Sequence, residues 1–197
     1  DLGERIILNG EPLMLLSEIP LPGAHNVENT MAAAAIARLA GATHEQIRAA
    51  VMTFPGVEHR IEFVRELNGV RYYNDSKATN VDAAEKAIDA FPGNLWIILG
   101  GKDKNSNYRP LAPRLAPKAK GILLIGAAAP IIRQHFLEAD PSLPLTDCDT
   151  LEKAIRAARR QSARGDIVLL SPACASFDQF QSYEHRGRHF KELVNSL

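Results

Sequence analysis

Leu95-Trp96-Ile97-Ile98-Leu99-Gly100-Gly101-Lys102-Asp103-Lys104 decides the fold. The run of apolar residues leaves no polar face, so it suits a strand covered on both sides in a mainly parallel sheet between helices. The two glycines end the strand and open a loop at its carboxyl end. Gly121-Ile-Leu-Leu-Ile125 and Ile167-Val-Leu-Leu170 are runs of the same type. Around them the spacing predicts strands at 70–73, 95–99, 121–125 and 167–170, with a short one near 143–145. Helices are predicted near 81–90, 108–117, 128–138, 150–162 and 184–195. Strand, loop and helix alternate, which is the pattern of an α/β fold with a mainly parallel sheet.

The pattern before residue 70 is different. Asn9-Gly10 and Asn68-Gly69 each sit between short apolar runs and predict hairpins, one over 5–15 and one over 61–73. Between them, Met31-Ala-Ala-Ala-Ala-Ile36 centres a helix from about 25 to 39, which Gly41 stops. A second helix, 44–53, follows a Thr43 cap and ends before Pro55-Gly56. A domain boundary is therefore expected near 56–60, dividing the chain into 1–57 and 58–197.

Composition limits the function. The chain has 197 residues, with 23 Lys plus Arg against 23 Asp plus Glu, a formal net charge of zero. That balance argues against a nucleic-acid binder. Hydrophobic residues at 46% and charged residues at 23% describe an ordinary globular chain. No stretch of about 18 apolar residues is present, so no membrane span is expected. Cys148 and Cys174 have no metal-ligand spacing; one disulfide between them is an open alternative, but two scattered cysteines fit a reducing cytoplasm at least as well. The opening, Asp1-Leu-Gly-Glu-Arg5, has charges where a signal peptide needs an apolar core. It also lacks Met, so a fragment or processed product is expected.

Ligands of open α/β sheets bind outside the carboxyl ends of the strands. The loops there are Asn74-Asp-Ser-Lys-Ala-Thr-Asn80, Gly100-Gly-Lys-Asp-Lys104 and Ser171-Pro-Ala-Cys-Ala-Ser176. Lys77, Thr79, Lys104 and Ser176 would give one rim a cationic, hydroxyl-rich lining suited to carboxylates or a phosphate. Each loop also has a plainer reading. Thr79 or Asn80 can cap the next helix, and the glycine-lysine loop can be a solvated turn. Cys174, flanked by alanines, reads as a buried thiol rather than a nucleophile. Ser171 and Ser176 form no nucleophile elbow. His185 and His189 lie one turn apart but lack a third metal ligand, and with Arg186 and Arg188 they read as a solvated helix face. Asn26 and Asn29 share a face of a first helical turn and suit a nucleobase or ribose; helix capping explains only one of them. Arg60, at the boundary, is either a salt-bridge residue or a ligand of a transferring phosphoryl group.

Taken in order, Gly23-Ala-His-Asn-x-x-Asn29, Gly56-x-x-His59-Arg60, Asn74-Asp-Ser-Lys-Ala-Thr-Asn80, Gly100-Gly-x-x-Lys104 and Ser171-Pro-Ala-Cys-Ala-Ser-x-Asp-Gln-Phe180 resemble the ATP-dependent Mur ligases, in particular those that add D-glutamate. The resemblance covers essentially the whole chain. It implies a reaction in which ATP phosphorylates the carboxylate of UDP-N-acetylmuramoyl-L-alanine. The amine of D-glutamate attacks the acyl phosphate, and phosphate leaves. Mg²⁺ and cationic side chains would stabilise the charge. By resemblance, Asn26 and Asn29 contact the adenine end of ATP, Asp75 the ribose, and Arg60 the terminal phosphate as the domains close. Lys77, Thr79, Lys104 and Ser176 bind the carboxylates of D-glutamate, and Arg60, Lys77 and Lys104 are the catalytic cations. Tyr183 stands where the family usually has Phe and offers its backbone N–H to the side-chain carboxylate. Lys102 and Asp103 receive no role, and no residue of the chain is expected to bind metal.

The same resemblance implies that 1–57 ends a central α/β ATP-binding domain and that 58–197 is a Rossmann-like α/β domain that binds D-glutamate. The G-x-x-x-x-G-K-[ST] phosphate loop is absent. The family's metal ligands and modified lysine are expected upstream of Asp1, and UDP-N-acetylmuramoyl-L-alanine is expected to bind through domains outside the chain. Alone, the chain is expected to be a cytoplasmic monomer, inactive in ATP hydrolysis and amide formation. The apolar face of 1–57 is expected to be exposed or disordered. Two alternatives stand beside this one: a folylpolyglutamate synthase or other Mur ligase, and a non-catalytic binding module. A ligase for a diamino acid would need an anionic group for the distal amine, where this rim offers lysines.

Overall fold

The computed structural model describes residues 4–197. The opening Asp1-Leu2-Gly3, part of the stretch read as no signal peptide, lies outside them. The chain divides into two compact units, Asp1–Gly56 and Val57–Leu197, so Val57 falls in the second.

In the first unit β1 (Arg5–Leu8) and β2 (Glu11–Leu15) pair antiparallel across Asn9-Gly10. Both turn residues have positive φ, as a tight hairpin turn of this hand requires. Helix α1 (Ala24–Leu39) and helix α2 (His44–Thr53) pack with the hairpin around Ile6, Leu13, Met14, Ala34 and Ile47. Thr43 and Gln46 form a reciprocal capping box at the start of α2. On α1, Ile36 is 69% and Leu39 90% exposed, so part of the apolar surface of this unit faces outward.

The second unit is a six-stranded sheet. Its strands are β3 (Glu62–Leu67), β4 (Val70–Asn74), β5 (Leu95–Gly100), β6 (Ala119–Ile125), β7 (Leu145–Asp149) and β8 (Ile167–Leu170), in the order β3-β4-β8-β5-β6-β7. Only β3 runs antiparallel to its neighbour. The fully apolar runs at 95–99, 121–125 and 167–170 are buried on both faces. Tyr73, Ile97, Leu99, Ile122, Leu124 and Leu169 face one core. Tyr72, Trp96, Ile98, Leu123, Val168 and Leu170 face the other. Helices α3 (Val81–Asp89), α4 (Ala112–Leu115) and α5 (Ala129–Ala139) supply the first core, and α6 (Leu151–Gln161) and α7 (Tyr183–Asn195) the second.

Two elements differ from expectation. The helix predicted at 108–117 is a short 3-10 turn, Arg109–Leu111, followed by a single α-turn. Pro110, Pro113 and Pro117 remove the N–H groups a longer helix would use. The fifth strand lies at Leu145–Asp149 and not at 143–145, because Pro144 has no N–H to give to the ladder.

The strand order places the site. β8 returns between β4 and β5, with Leu170 paired to both Asn74 and Ile98. The loops after β4, β8 and β5 therefore leave one edge of the sheet side by side, at the point where strand order reverses.

Candidate functional site

The loop after β4 is built inward first. Asn80 caps α3 by accepting from Ala83 N–H at 2.9 Å. The cap is thus taken, and Thr79 is not needed for it. Ser76 is fully buried, and its hydroxyl donates to the Tyr183 carbonyl at 2.8 Å. The Lys77 ammonium lies 3.1 Å from the Tyr183 hydroxyl. That hydroxyl therefore holds a lysine, a contact Phe could not make. Tyr183 is the first residue of α7, so its N–H is among the amides an α-helix leaves without an internal partner.

The loop after β8 lies beside it. Ser171 through Ser176 are buried, and Ala173 holds a positive φ. The Ala175 carbonyl accepts from Lys102 N–H at 2.8 Å, which attaches the loop after β5. Gly101 permits this closeness: a Cβ there would stand 2.3 Å from the Ala175 oxygen. Asp103, given no role from sequence, fastens the same loop. Its carboxylate accepts from Asn105 N–H at 3.0 Å, Ser106 N–H at 3.1 Å and the Tyr108 hydroxyl at 2.7 Å. The D-x-N-S order, an Asx-turn pattern, is the signal that could have found it. Lys104 is exposed in this loop.

Cys174 has the character read from its sequence. It is buried, its thiol is pushed up to about 11 chiefly by that burial, and its sulfur lies 3.0 Å from the Tyr108 hydroxyl. The solvated face read for the last helix needs correction. His185 and Arg188 are exposed, and His189 contacts Glu152 at 2.5 Å, but Arg186 is completely buried. Its guanidinium donates to Ser76 Oγ at 2.9 Å, Ser76 O at 2.8 Å, Cys174 O at 3.1 Å and Ala175 O at 3.3 Å. Sequence reasoning missed it because its partners lie up to 110 residues away.

The segment bearing Arg60 is strained and strapped down. His59 and Ile61 have positive φ, which is costly for a β-branched residue. The His59 carbonyl accepts from Lys77 N–H at 3.1 Å, and Ile61 N–H donates to Asp75 Oδ1 at 3.2 Å. The Ser171 hydroxyl donates to Asp75 Oδ2 at 2.8 Å. Asp75 thus joins the Arg60 segment to the loop after β8. Burial pushes its carboxyl up to about 7. The buried His59 ring lies 2.9 Å from the Asn74 amide nitrogen, and burial lowers its pKa. Arg60 itself projects from the surface.

The loops carrying Lys77, Thr79, Lys104 and Ser176 therefore share one rim; Tyr183 is joined to it by direct contacts, and Arg60 through its neighbours His59 and Ile61. Asn26 and Asn29 belong to the other unit. On α1, Asn29 is exposed, while the Asn26 side-chain amide donates to Pro22 O at 2.8 Å. The helix there begins with Gly23 as its cap, without a side-chain capping bond.

The description "Mur ligase, glutamate ligase domain" matches residues 59–174. The chain belongs to the Mur ligase family. It is 57% identical over 195 residues to the UDP-N-acetylmuramoylalanine--D-glutamate ligase of Solibacter usitatus, covering 99% of this chain and 43% of that protein. It is 58% identical over 184 residues to the enzyme of the same name from Acidobacterium capsulatum, covering 93% and 39%. This Mur ligase chain thus spans about two fifths of the length of these relatives. Among solved structures, the UDP-N-acetylmuramate-alanine ligase of Thermotoga maritima shares the fold, with a TM-score of 0.65 at 15% identity over 89% of this chain and 39% of that one. The bifunctional folylpolyglutamate synthase/dihydrofolate synthase of Yersinia pestis shares it too, with a TM-score of 0.63 at 17% identity over 95% and 41%.

Proposed function

We propose that this chain delivers D-glutamate in an ATP-dependent ligase of the cytoplasm that joins it to UDP-N-acetylmuramoyl-L-alanine. The observation that carries the reading is the single rim on which the loops of Lys77, Lys104 and Ser176 meet the start of α7. Two carboxylates need several fixed donors, and this rim has ammonium groups, hydroxyls and a helix N-terminal amide. Lys77, Thr79, Lys104, Ser176 and the Tyr183 N–H hold D-glutamate and present its amine. The identities of 57% and 58% to ligases named for D-glutamate support that choice over other amino acids.

For ATP, Arg60 is the phosphate ligand. Its exposed side chain stands on a segment whose backbone is fixed at His59 and Ile61, so only its own rotamers remain to be ordered when it meets an anion. Asp75 uses its remaining lone pairs for ribose hydroxyls. On the first unit, Asn26 and Asn29 read adenine; with one N–H on Pro22 O, Asn26 has its oxygen and its second N–H to offer. Mg²⁺ would neutralise phosphate charge during transfer. Among the described residues Glu58, His59 and Glu62 bring ligand atoms within 4.8 Å of one another, but the Lys191 ammonium already sits 3.1 Å from Glu58 and 2.6 Å from Glu62, so that cluster is a poor fit for the ion. Among the described residues no helix is long and apolar enough to cross a membrane.

Isothermal titration of the chain with each glutamate enantiomer tests this. D-glutamate is expected to bind more tightly than L-glutamate, and Lys104→Ala and Ser176→Ala each to weaken it at least tenfold. Equal binding of the enantiomers, or variants that bind as the parent does, would contradict it.

A further inference from the structure

We propose that Arg186 is a positioning residue for the rim: its buried guanidinium sets the loops that carry the glutamate ligands at their working separation. The inference rests on the reading of the rim as a D-glutamate site.

Arg186 is completely buried, yet no carboxylate lies within ion-pair distance of it among the described residues. A charge so placed is costly, and a hydrophobic side chain of similar volume would serve packing as well or better. Burial pulls the guanidinium down to about 10, which reflects that cost while leaving it charged at neutral pH. What the planar fork supplies is several donors in a fixed geometry.

The acceptors are the neighbours of the proposed ligands. Ser76, gripped at both its hydroxyl and its carbonyl, precedes Lys77. Ala175, gripped at its carbonyl, precedes Ser176, and Cys174 precedes Ala175. Ser76 passes the connection to Tyr183 through its hydroxyl. The same Ala175 carbonyl holds Lys102, so the loop of Lys104 is tied in as well. At Gly101, an added Cβ would also stand 3.1 Å from the guanidinium. One side chain therefore fixes segments that arrive from β4, β5, β8 and α7.

The test uses Arg186→Met, which fills the space without donors, and Arg186→Lys, which keeps the charge but cannot span the acceptors. Both are read by D-glutamate titration and by amide hydrogen exchange of the unliganded chain. Each variant is expected to lose at least tenfold in D-glutamate affinity. Exchange at the Lys77 and Lys102 amides is expected to rise tenfold or more, while Ile97, Leu123 and Leu169 in the sheet keep parental protection. D-glutamate binding within twofold of the parent, or unchanged loop exchange, would overturn the proposal. So would loss of protection throughout the sheet in both variants, which would make Arg186 a general element of the fold. Should the parent chain itself bind no D-glutamate, the ligand reading fails, and the exchange pattern still decides whether Arg186 holds the loops.

Discussion

Asp75 shows how a buried residue that ties two loops together can cost stability. Its carboxyl is raised to about 7 by burial, against about 3.9 for an unperturbed aspartate. The folded chain thus prefers the protonated form more than the unfolded chain does. The stability this gives is fully present below about pH 4 and is lost as pH rises through 7. Asp75→Asn stays neutral throughout, so urea unfolding should show the variant gaining on the parent between pH 5 and pH 8. The limiting slope is about 1.4 kcal/mol per pH unit. A difference that stays flat over that range would contradict the assignment. Gly187 is a second sensitive residue. A Cβ there would stand 2.3 Å from His59 Nδ1, in the space the buried imidazole fills. Gly187→Ala is expected to destabilise the chain by about 1–3 kcal/mol, by overpacking. Denaturant unfolding measures it, and a change within 0.5 kcal/mol would show that the ring moves aside freely.

At the scale of elements, the start of helix α3 offers a test that separates capping from the proposed binding. Asn80 holds the cap and Thr79 does not. Asn80→Ala should cost about 1 kcal/mol in denaturant unfolding. Thr79→Ala should cost much less stability but weaken D-glutamate in titration, and the reverse ranking would exchange their roles. The buried strands were legible because runs such as Leu95–Leu99 cannot tolerate a solvated face. The loops that follow them were legible because strand direction dictates where they emerge. The segment 108–117 was misread because its apolar residues suggested a helix that its three prolines forbid. Arg186 was out of reach for another reason. On its helix it follows the exposed His185 in a run of charged residues, and only the return of β8 beside β4 brings its acceptors together. Asp103 was missed although its Asx-turn pattern is local, because a loop between lysines reads as solvated.

For the molecule as a whole, the division into Asp1–Gly56 and Val57–Leu197 separates two kinds of construction. The second unit has a core on each face of its sheet and carries the rim. The first has a small core and leaves Ile36 and Leu39 outside it. The central claim concerns the second unit: D-glutamate is held at the carboxyl edge of the sheet by loops that meet where strand order reverses. Amide chemical-shift mapping of the chain with D-glutamate tests it most directly. The largest perturbations are expected at Lys77–Thr79, Lys102–Lys104, Ser176 and Tyr183, with little change at Asn68-Gly69, Asn94 and Ala163–Asp166 on the opposite edge. Perturbations centred on that opposite edge, or none at saturating D-glutamate, would contradict it.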